Sequence, residues 1–408
     1  AVLWKTENDS VPTYFIENDV YFNREGFYGE NGNDYPDNLE RFVFFCKAVI
    51  EGCKAVNFLP DVIHCNDWQT ASLPALLKVT HAAYRRDPFF SPVPKLVFSI
   101  HNIAYQGRFS EDKWPVLSMP RSYFDHDFEF YGQINLLKGA IQLSDIITTV
   151  SETYAQEIQT TDFGFGLQDA LRARKDNLFG ILNGVDYQQW SPDTDPYTYG
   201  IHYSTADLSG KRRIKSTLRE TYGLPDRDDV PLIGMTTRFV EQKGIDLITR
   251  CADKILRLDT QMIVLGSGEQ RYHDFFEWLR RSYPDQVAIY IGFNNELAHR
   301  IEAGADIFLM PSLFEPCGLN QIYSLKYATL PIVRLTGGLA DTIEDGVNGF
   351  TFFDFAEDFL FDAVQRAINV YRNQPDRWKE MMITAMAQDF SWEKSADKYL
   401  EIYRRTFT

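Results

Sequence analysis

Positive charge is in short supply in this chain. Its 41 Lys and Arg stand against 57 Asp and Glu, a net charge of -16 at pH 7 and a sequence pI near 4.9. Such a surface repels phosphate backbones and anionic bilayers, so neither nucleic acid nor membrane is expected as a main partner. A phosphate-bearing ligand would need a local basic pocket. Cysteine is sparse too: Cys46, Cys53, Cys65, Cys251 and Cys317 are odd in number and scattered, with no CxxC pair. That pattern excludes a disulfide scaffold or zinc ribbon and points to reduced thiols in a cytosol-like compartment. No apolar run approaches the ~18 residues of a membrane span. The chain opens at Ala1 with neither a methionine nor a signal-peptide pattern, so targeting is not read from it.

What is present is ample material for a core: 408 residues, 44% of them hydrophobic. That length fits two domains of about 200 residues each. Short β-rich runs alternate with helical patterns throughout. The first half offers strands at Thr13–Ile16, Val62–Cys65, Leu96–Ile100, Ile146–Val150 and Phe179–Leu182. Phe42, Phe45, Cys46, Val49, Ile50, Cys53 and Val56 recur at helical spacing between the first two of these, and a second helix follows Trp68. The second half offers Leu232–Thr236, Met262–Leu265, Ala288–Ile291, Ile307–Met310, Ile332–Leu335 and Phe350–Phe353. Strands that are apolar without alternation, separated by helices, predict an α/β protein whose parallel sheets are covered on both faces. Two such series predict two doubly wound domains, with a border in the polar stretch from Ser191 to about Asp229.

In open α/β sheets ligands sit beyond the carboxyl ends of the strands. Polar and glycine-rich clusters follow many of these strands: His64-Cys65-Asn66-Asp67-Trp68, His101 to Gly107 and Asn183-Gly184-Val185-Asp186 in the first series. The second has Arg238 with Gln242-Lys243-Gly244, Gly266-Ser267-Gly268-Glu269, Glu315-Pro316-Cys317-Gly318-Leu319 and Thr336-Gly337-Gly338-Leu339. Arg238 and Lys243 flank a strand end and precede a helix, a suitable seat for a diphosphate, although a solvated basic surface is the bland alternative. Gly266-x-Gly268 matches only part of a dinucleotide fingerprint, because Arg271 holds the third glycine position. A tight turn that lets backbone approach a ligand is the better reading there. Asp193-Thr194-Asp195 and Asp125-His126-Asp127 could be metal-binding acid pairs, but their polar loops favour solvated acids. His64, inside an apolar strand, reads as structural. Cys317 lacks the histidine–acid arrangement of a thiol nucleophile.

Taken together these runs carry a resemblance. Pro311-Ser312-Leu313-Phe314-Glu315-Pro316-Cys317-Gly318-Leu319, then Lys326-Tyr327, then Thr336-Gly337-Gly338-Leu339-Ala340-Asp341-Thr342, resembles the signature of bacterial glycogen synthases and plant starch synthases. So do His101 to Gly107, Arg238 with Gln242-Lys243-Gly244, and Leu182-Asn183-Gly184-Val185-Asp186, in the same order along the whole chain. The resemblance implies the GT-B fold: Rossmann-like domains over 1–200 and 201–390, an active site in the cleft between them, and a closing helix over 391–408 that crosses back. It implies retaining transfer of glucose from ADP-glucose to the non-reducing end of an α-1,4-glucan, without cofactor or metal, in a bacterial cytoplasm or plastid stroma.

Residue by residue, the resemblance makes Arg238 and Lys243 the cations on the leaving diphosphate and Glu315 the essential carboxylate beside the glucose. It puts His101 near the anomeric centre and gives the amides of Gly318 and Leu319, at a helix start, to the phosphate. Asp67, Asn102 and Asn183 become sugar or cleft-closing contacts, and Gly266, Cys317, Thr336 and Gly337 line the substrate. Phe293 falls where the family often places a tyrosine against the nucleobase. There are two departures. The family's Lys-x-Gly-Gly-Leu loop is not found near the start, and roughly the first strand and helix are expected to be missing with it. The position eight residues beyond Glu315, a second glutamate in wider GT-B enzymes, is Tyr323, and the glycogen/starch synthase branch also lacks that glutamate. Two alternatives stand beside this reading: another GT-B sugar transferase with a different acceptor, and a non-catalytic glucan-binding or regulatory paralogue.

Overall fold

The structure, a computed structural model, describes residues 1–6, 11–30, 32–83 and 88–407, without the side chains of 80–83 and 88. The chain divides into two compact units, one of Ala1–Val150, Ala155–Gly180 and Tyr399–Thr408, the other of Ser151–Tyr154 and Ile181–Lys398.

Unit 1 begins with an antiparallel ribbon, β1 (Val2–Lys5) and β2 (Tyr14–Glu17), pairing Trp4 with Phe15 and Lys5 with Tyr14. The run Thr13–Ile16 was expected in the parallel sheet; instead its neighbour in sequence captures it. The Thr6 N–H donates to the Thr13 carbonyl at 3.0 Å and closes that local pairing. Helix α1 (Asn38–Ala55) follows and buries Leu39, Val43 and Cys46, a stripe at helical spacing. The parallel sheet comprises β3 (Val62–Asn66), β4 (Lys95–Ile100), β5 (Ile146–Thr149) and β6 (Leu178–Gly180), in the order β6-β5-β4-β3. Leu96 to Ile100 of β4 are all buried, which is why that run does not alternate. The last turns of the final helix, Trp392–Arg405, also belong to this unit, where the Tyr403 hydroxyl lies 2.8 Å from His64 Nδ1.

Unit 2 is a six-stranded parallel sheet. Its strands are β7 (Leu232–Phe239), β8 (Gln261–Gly268), β9 (Val287–Ile291), β10 (Ile307–Met310), β11 (Leu330–Arg334) and β12 (Phe350–Phe352), in the order β9-β8-β7-β10-β11-β12. In chain order that is 3-2-1-4-5-6, the Rossmann topology, with its reversal point between β7 and β10. Neighbouring residues of one strand serve opposite cores. Ile233, Met235, Met262 and Val264 pack with Leu247 and Ile248 of the helix Ile245–Leu256 and with Leu360 and Val364 of the helix Glu357–Asn373. Leu232, Ile263, Leu265 and Phe308 pack on the other face with Leu218, Leu297 and Ile301. Each such side chain contributes about 1.5–3 kcal/mol on burial, so both faces must be covered for the sheet to persist.

Residues 181–200 pack within unit 2, and Asp195 shows why. It is wholly buried and accepts from Tyr327 Oη at 2.5 Å and the Tyr197 N–H at 2.8 Å, with His299 Nδ1 2.8 Å away. Trp190 stacks between His299, at 3.7 Å, and Tyr323, at 4.0 Å. The reading of Asp195 as a solvated acid is therefore corrected. Burial would raise its carboxyl, but the hydrogen bonds from His299 and Tyr327 hold it below the usual range. Among the described residues no group of three His, Cys, Asp or Glu is placed to hold a metal ion, and no helix is long and apolar enough to cross a membrane.

Beneath this network lies Lys211, whose Nζ donates to the carbonyls of Ala303 (3.0 Å) and Tyr327 (2.9 Å) and to Thr329 Oγ1 (2.6 Å). Burial lowers its pKa from 10.5 to about 7. Below that window folded and unfolded chains both carry the proton; above it neither does. Between the two values only the unfolded chain holds it, so stability rises with pH, by at most about 1.4 kcal/mol per unit. The stability of the native protein relative to Lys211→Met should therefore climb between pH 7 and pH 10 in urea titrations. A flat difference would mean that the buried lysine keeps its charge.

Candidate active site

Sequence-predicted residues gather at strand ends in both units. In unit 1, β3 ends at Asn66, and Asp67 follows with φ of 57°, a left-handed backbone that costs a non-glycine residue about 1–3 kcal/mol. Its contacts hold it there. Asp67 Oδ1 accepts the His101 N–H at 2.8 Å, and His101 Nε2 lies 2.9 Å from Asn66 Oδ1. Asn102 Oδ1 accepts the Ala104 N–H at 3.0 Å and shapes the turn after β4. The carboxyl ends of two adjacent parallel strands are thus laced together with Asp67, His101 and Asn102 side by side. Burial raises the Asp67 carboxyl against the lowering influence of His101 beside it. Two residues before Asn66 on β3, His64 has Tyr403 on one ring nitrogen and Ser99 Oγ, at 2.6 Å, on the other. Burial pushes its pKa down to about 4, so the ring is neutral and holds the sheet and last helix together.

In unit 2 the centre is Glu315. Lys243 follows β7 in a short turn, Glu241–Lys243, that Gly244 ends with φ of 70° before the next helix. Its Nζ sits 2.6 Å from Glu315 Oε2, and Ser312 Oγ donates to the same oxygen at 3.0 Å. Both charges are largely buried, Glu315 at 6% side-chain exposure and Lys243 at 17%. Desolvation offsets most of the attraction in such a pair, so it is poor evidence for a stabilising role. The loop is fastened on each side. Leu313 N–H donates to the Gln242 carbonyl at 2.9 Å, Ser151 Oγ to the Pro316 carbonyl at 2.7 Å, and Gly338 N–H to the Glu315 and Pro316 carbonyls at 3.1 Å.

The same loop carries Cys317, Gly318 and Leu319 into the helix Asn320–Lys326. Gln321 Nε2 donates to the Cys317 and Gly318 carbonyls at 3.0 and 3.1 Å, while the Gly318 and Leu319 N–H groups meet no backbone carbonyl among the described residues. Burial pushes the Cys317 thiol up to about 12, against a backbone hydrogen bond from Asn183. It is a packed thiol touching Asn183, not a nucleophile. Arg238 stands exposed near the end of β7, paired in register with Ser267 of β8. Gly266 is buried inside β8, which runs on to Gly268, so the tight turn expected at this glycine is not there. A side chain at Gly266 would strike the Thr237 carbonyl at 2.1 Å. Phe293 lies just past β9 and is 90% exposed.

Thr336 is buried ahead of Gly337. Gly337 has φ of 45°, and an added Cβ would lie 2.0 Å from the Glu315 carbonyl oxygen. Sequence reasoning quoted Ser312 and Asn66 within motifs without giving either a task, and passed over Ser151 and Arg334. Only Ser312 carried a usable signal, its place three residues before the acid.

Two units with doubly wound parallel sheets and polar clusters beyond the strand ends define the GT-B class of glycosyltransferases. Comparison with known proteins narrows this. The starch synthase catalytic domain family matches residues 1–173, and glycosyl transferases group 1 matches residues 219–382. Glycogen synthase 1 of Geobacter metallireducens is 46% identical over 402 residues, covering 97% of this chain and 79% of that protein. The glycogen synthase of Koribacter versatilis is 45% identical over 404 residues, covering 97% and 82%. Among solved structures, the catalytic domain of starch synthase IV from Arabidopsis thaliana, bound to ADP and acarbose, superposes with a TM-score of 0.88 at 34% identity, over 99% of this chain and 84% of that one. Sucrose-phosphate synthase from Thermosynechococcus elongatus, at 17% identity and a TM-score of 0.59, shares the fold alone. The chain belongs to the glycogen/starch synthase family of glycosyltransferases.

The packing at Gly337 gives a direct check. Gly337→Ala combines a left-handed backbone with a collision against the Glu315 loop, so it should cost about 3 kcal/mol or more. Gly223→Ala, with φ of 74° and nothing within 4 Å, should cost only about 1 kcal/mol. Urea midpoints of the two variants measure the difference; equal costs would show that the two loops can part freely.

Proposed function

We propose that the protein transfers glucose from ADP-glucose to the non-reducing end of an α-1,4-glucan with retention of configuration. The observation that carries this is the largely buried Lys243–Glu315 contact at 2.6 Å, an anion and a cation at the carboxyl end of a Rossmann sheet. Breaking the bond from glucose C1 to the diphosphate leaves positive charge on the sugar and negative charge on the phosphate. Fixed charges aimed at both are the largest source of rate. Arg238 and Lys243 meet the phosphate, aided by the N–H groups of Gly318 and Leu319. Glu315 orients sugar hydroxyls and balances the oxocarbenium-like carbon. The acceptor hydroxyl forms the new bond to C1, and its proton leaves with the diphosphate.

His101, Asp67, Asn102 and Asn183 are the proposed sugar contacts, and Thr336, Gly337, Cys317 and Gly266 are proposed to line the substrate. Phe293 offers its exposed ring to adenine. ADP as the nucleotide is supported by the ADP-bound starch synthase of similar fold, and the glucan acceptor by acarbose in the same complex. The five cysteines are all free thiols, in keeping with a reducing compartment such as a bacterial cytoplasm or plastid stroma.

Donor consumption with ADP-glucose and UDP-glucose, each with a malto-oligosaccharide, tests the reading. Arg238→Ala, Lys243→Ala and Glu315→Gln should each lower kcat about a hundredfold or more, with far-UV spectra unchanged. Loss of less than threefold in all of them would leave these charges a structural role only. Phe293→Ala should raise the KM for ADP-glucose about tenfold, the worth of one base stacked on one ring. Equal turnover with UDP-glucose would overturn the donor assignment.

A further inference from the structure

Resting on Glu315 as the carboxylate of the transfer reaction, we infer that Ser312 is the positioning residue that keeps that carboxylate in its working rotamer when Lys243 turns to the donor's phosphate. In the structure Glu315 Oε2 takes both bonds, one from Lys243 Nζ at 2.6 Å and one from Ser312 Oγ at 3.0 Å. With both donors on Oε2, Oε1 is the oxygen left for the sugar. Lys243 has a second task, however. Its ammonium is a compact point charge on a four-carbon stem, and a bound diphosphate competes for it. Once Lys243 shares its charge, the side chain of Glu315 would turn about its outer torsions unless another donor held Oε2. Ser312 is that donor, and it is 1% exposed, so no water competes for its hydroxyl.

The serine is itself held from behind. Arg334, on the neighbouring strand β11, donates through Nε to the Ser312 carbonyl at 2.9 Å and through Nη2 to the Leu313 carbonyl. Its Nη1 reaches the Phe353 carbonyl at 3.4 Å. A planar guanidinium spread over successive carbonyls fixes the loop as a rigid unit. The hydroxyl therefore has a defined place from which to donate, whatever Lys243 does.

A double-mutant cycle on the full chain separates positioning from packing. Ser312→Ala should lower kcat with ADP-glucose about tenfold, the worth of one hydrogen bond to a charged group, and leave the dissociation constant for ADP within twofold. In a Glu315→Gln background, where the carboxylate is already gone, adding Ser312→Ala should change kcat less than twofold, so the two changes are non-additive. A tenfold loss in both backgrounds, or no loss in either, overturns the positioning role. Full activity of Glu315→Gln alone would instead bring down the assignment of Glu315.

Discussion

A carboxylate closed off from water beside an ammonium is costly to build, and the second unit is organised around meeting that cost. Desolvating Glu315 and Lys243 is offset only where the geometry is good and the remaining lone pairs are satisfied. Good geometry comes from the backbone. The Glu315 loop lies between the turn at Gln242 and the loop of Gly337 and Gly338, whose missing side chains admit the approach. Four separate stretches of chain, around Ser151, Gln242, Arg334 and Gly338, each place a donor or acceptor on this one loop. The result is an anion whose position is set by several elements at once. Preorganisation of that kind is what electrostatic catalysis requires, because nothing has to reorient as charge develops.

The sheet topology explains why these stretches meet. In a 3-2-1-4-5-6 order the chain crosses over between its first and fourth strands, and the two loops beyond them diverge in opposite directions. Lys243 follows the first of these strands and Glu315 the fourth, so the ion pair straddles the reversal point. Unit 1 has no such reversal among its described strands, which lie in consecutive order, and it joins its residues across two neighbouring strands. The ends of β3 and β4 are laced through Asp67 and His101, and the backbone strain at Asp67 is the cost of turning its carboxylate toward the next strand.

Much of this was legible in the sequence, for a physical reason. Parallel strands buried on both faces must be continuously apolar, so Ile307–Met310 and Leu96–Ile100 announce themselves without structural help. Residues beyond their carboxyl ends are then functional candidates by position alone, which singled out Glu315, Lys243, His101 and Asp67. What was not legible is side-chain partnership. Asp195 sits in a turn-rich polar stretch that reads as solvated, yet it is buried because His299 and Tyr327, more than a hundred residues on, supply donors. The segment Thr13–Ile16 reads as a sheet strand by composition. Its pairing with Val2–Lys5 is a matter of competition between partners, which composition does not encode. Gly266 was read as a turn glycine, but its role is to let a strand pass under the Thr237 carbonyl.

Tyr323 shows where these two kinds of information meet. Its position, eight residues beyond Glu315, could be counted in the sequence, and the absence of an acid there matched one branch of the fold. The count did not say what the aromatic ring does. In the structure it stacks at 4.0 Å on Trp190, whose other face stacks on His299, the partner of buried Asp195. A glutamate in that place would present a charge to the face of an indole and lose the stack, worth about 0.5–1.5 kcal/mol beyond area. The ring thus joins the short helix behind the Glu315 loop to the segment 181–200. That segment is in turn the one that delivers Asn183 to Cys317. A substitution that looks like the loss of one site residue is therefore also a packing constraint, one that helps to set where the remaining site residues stand.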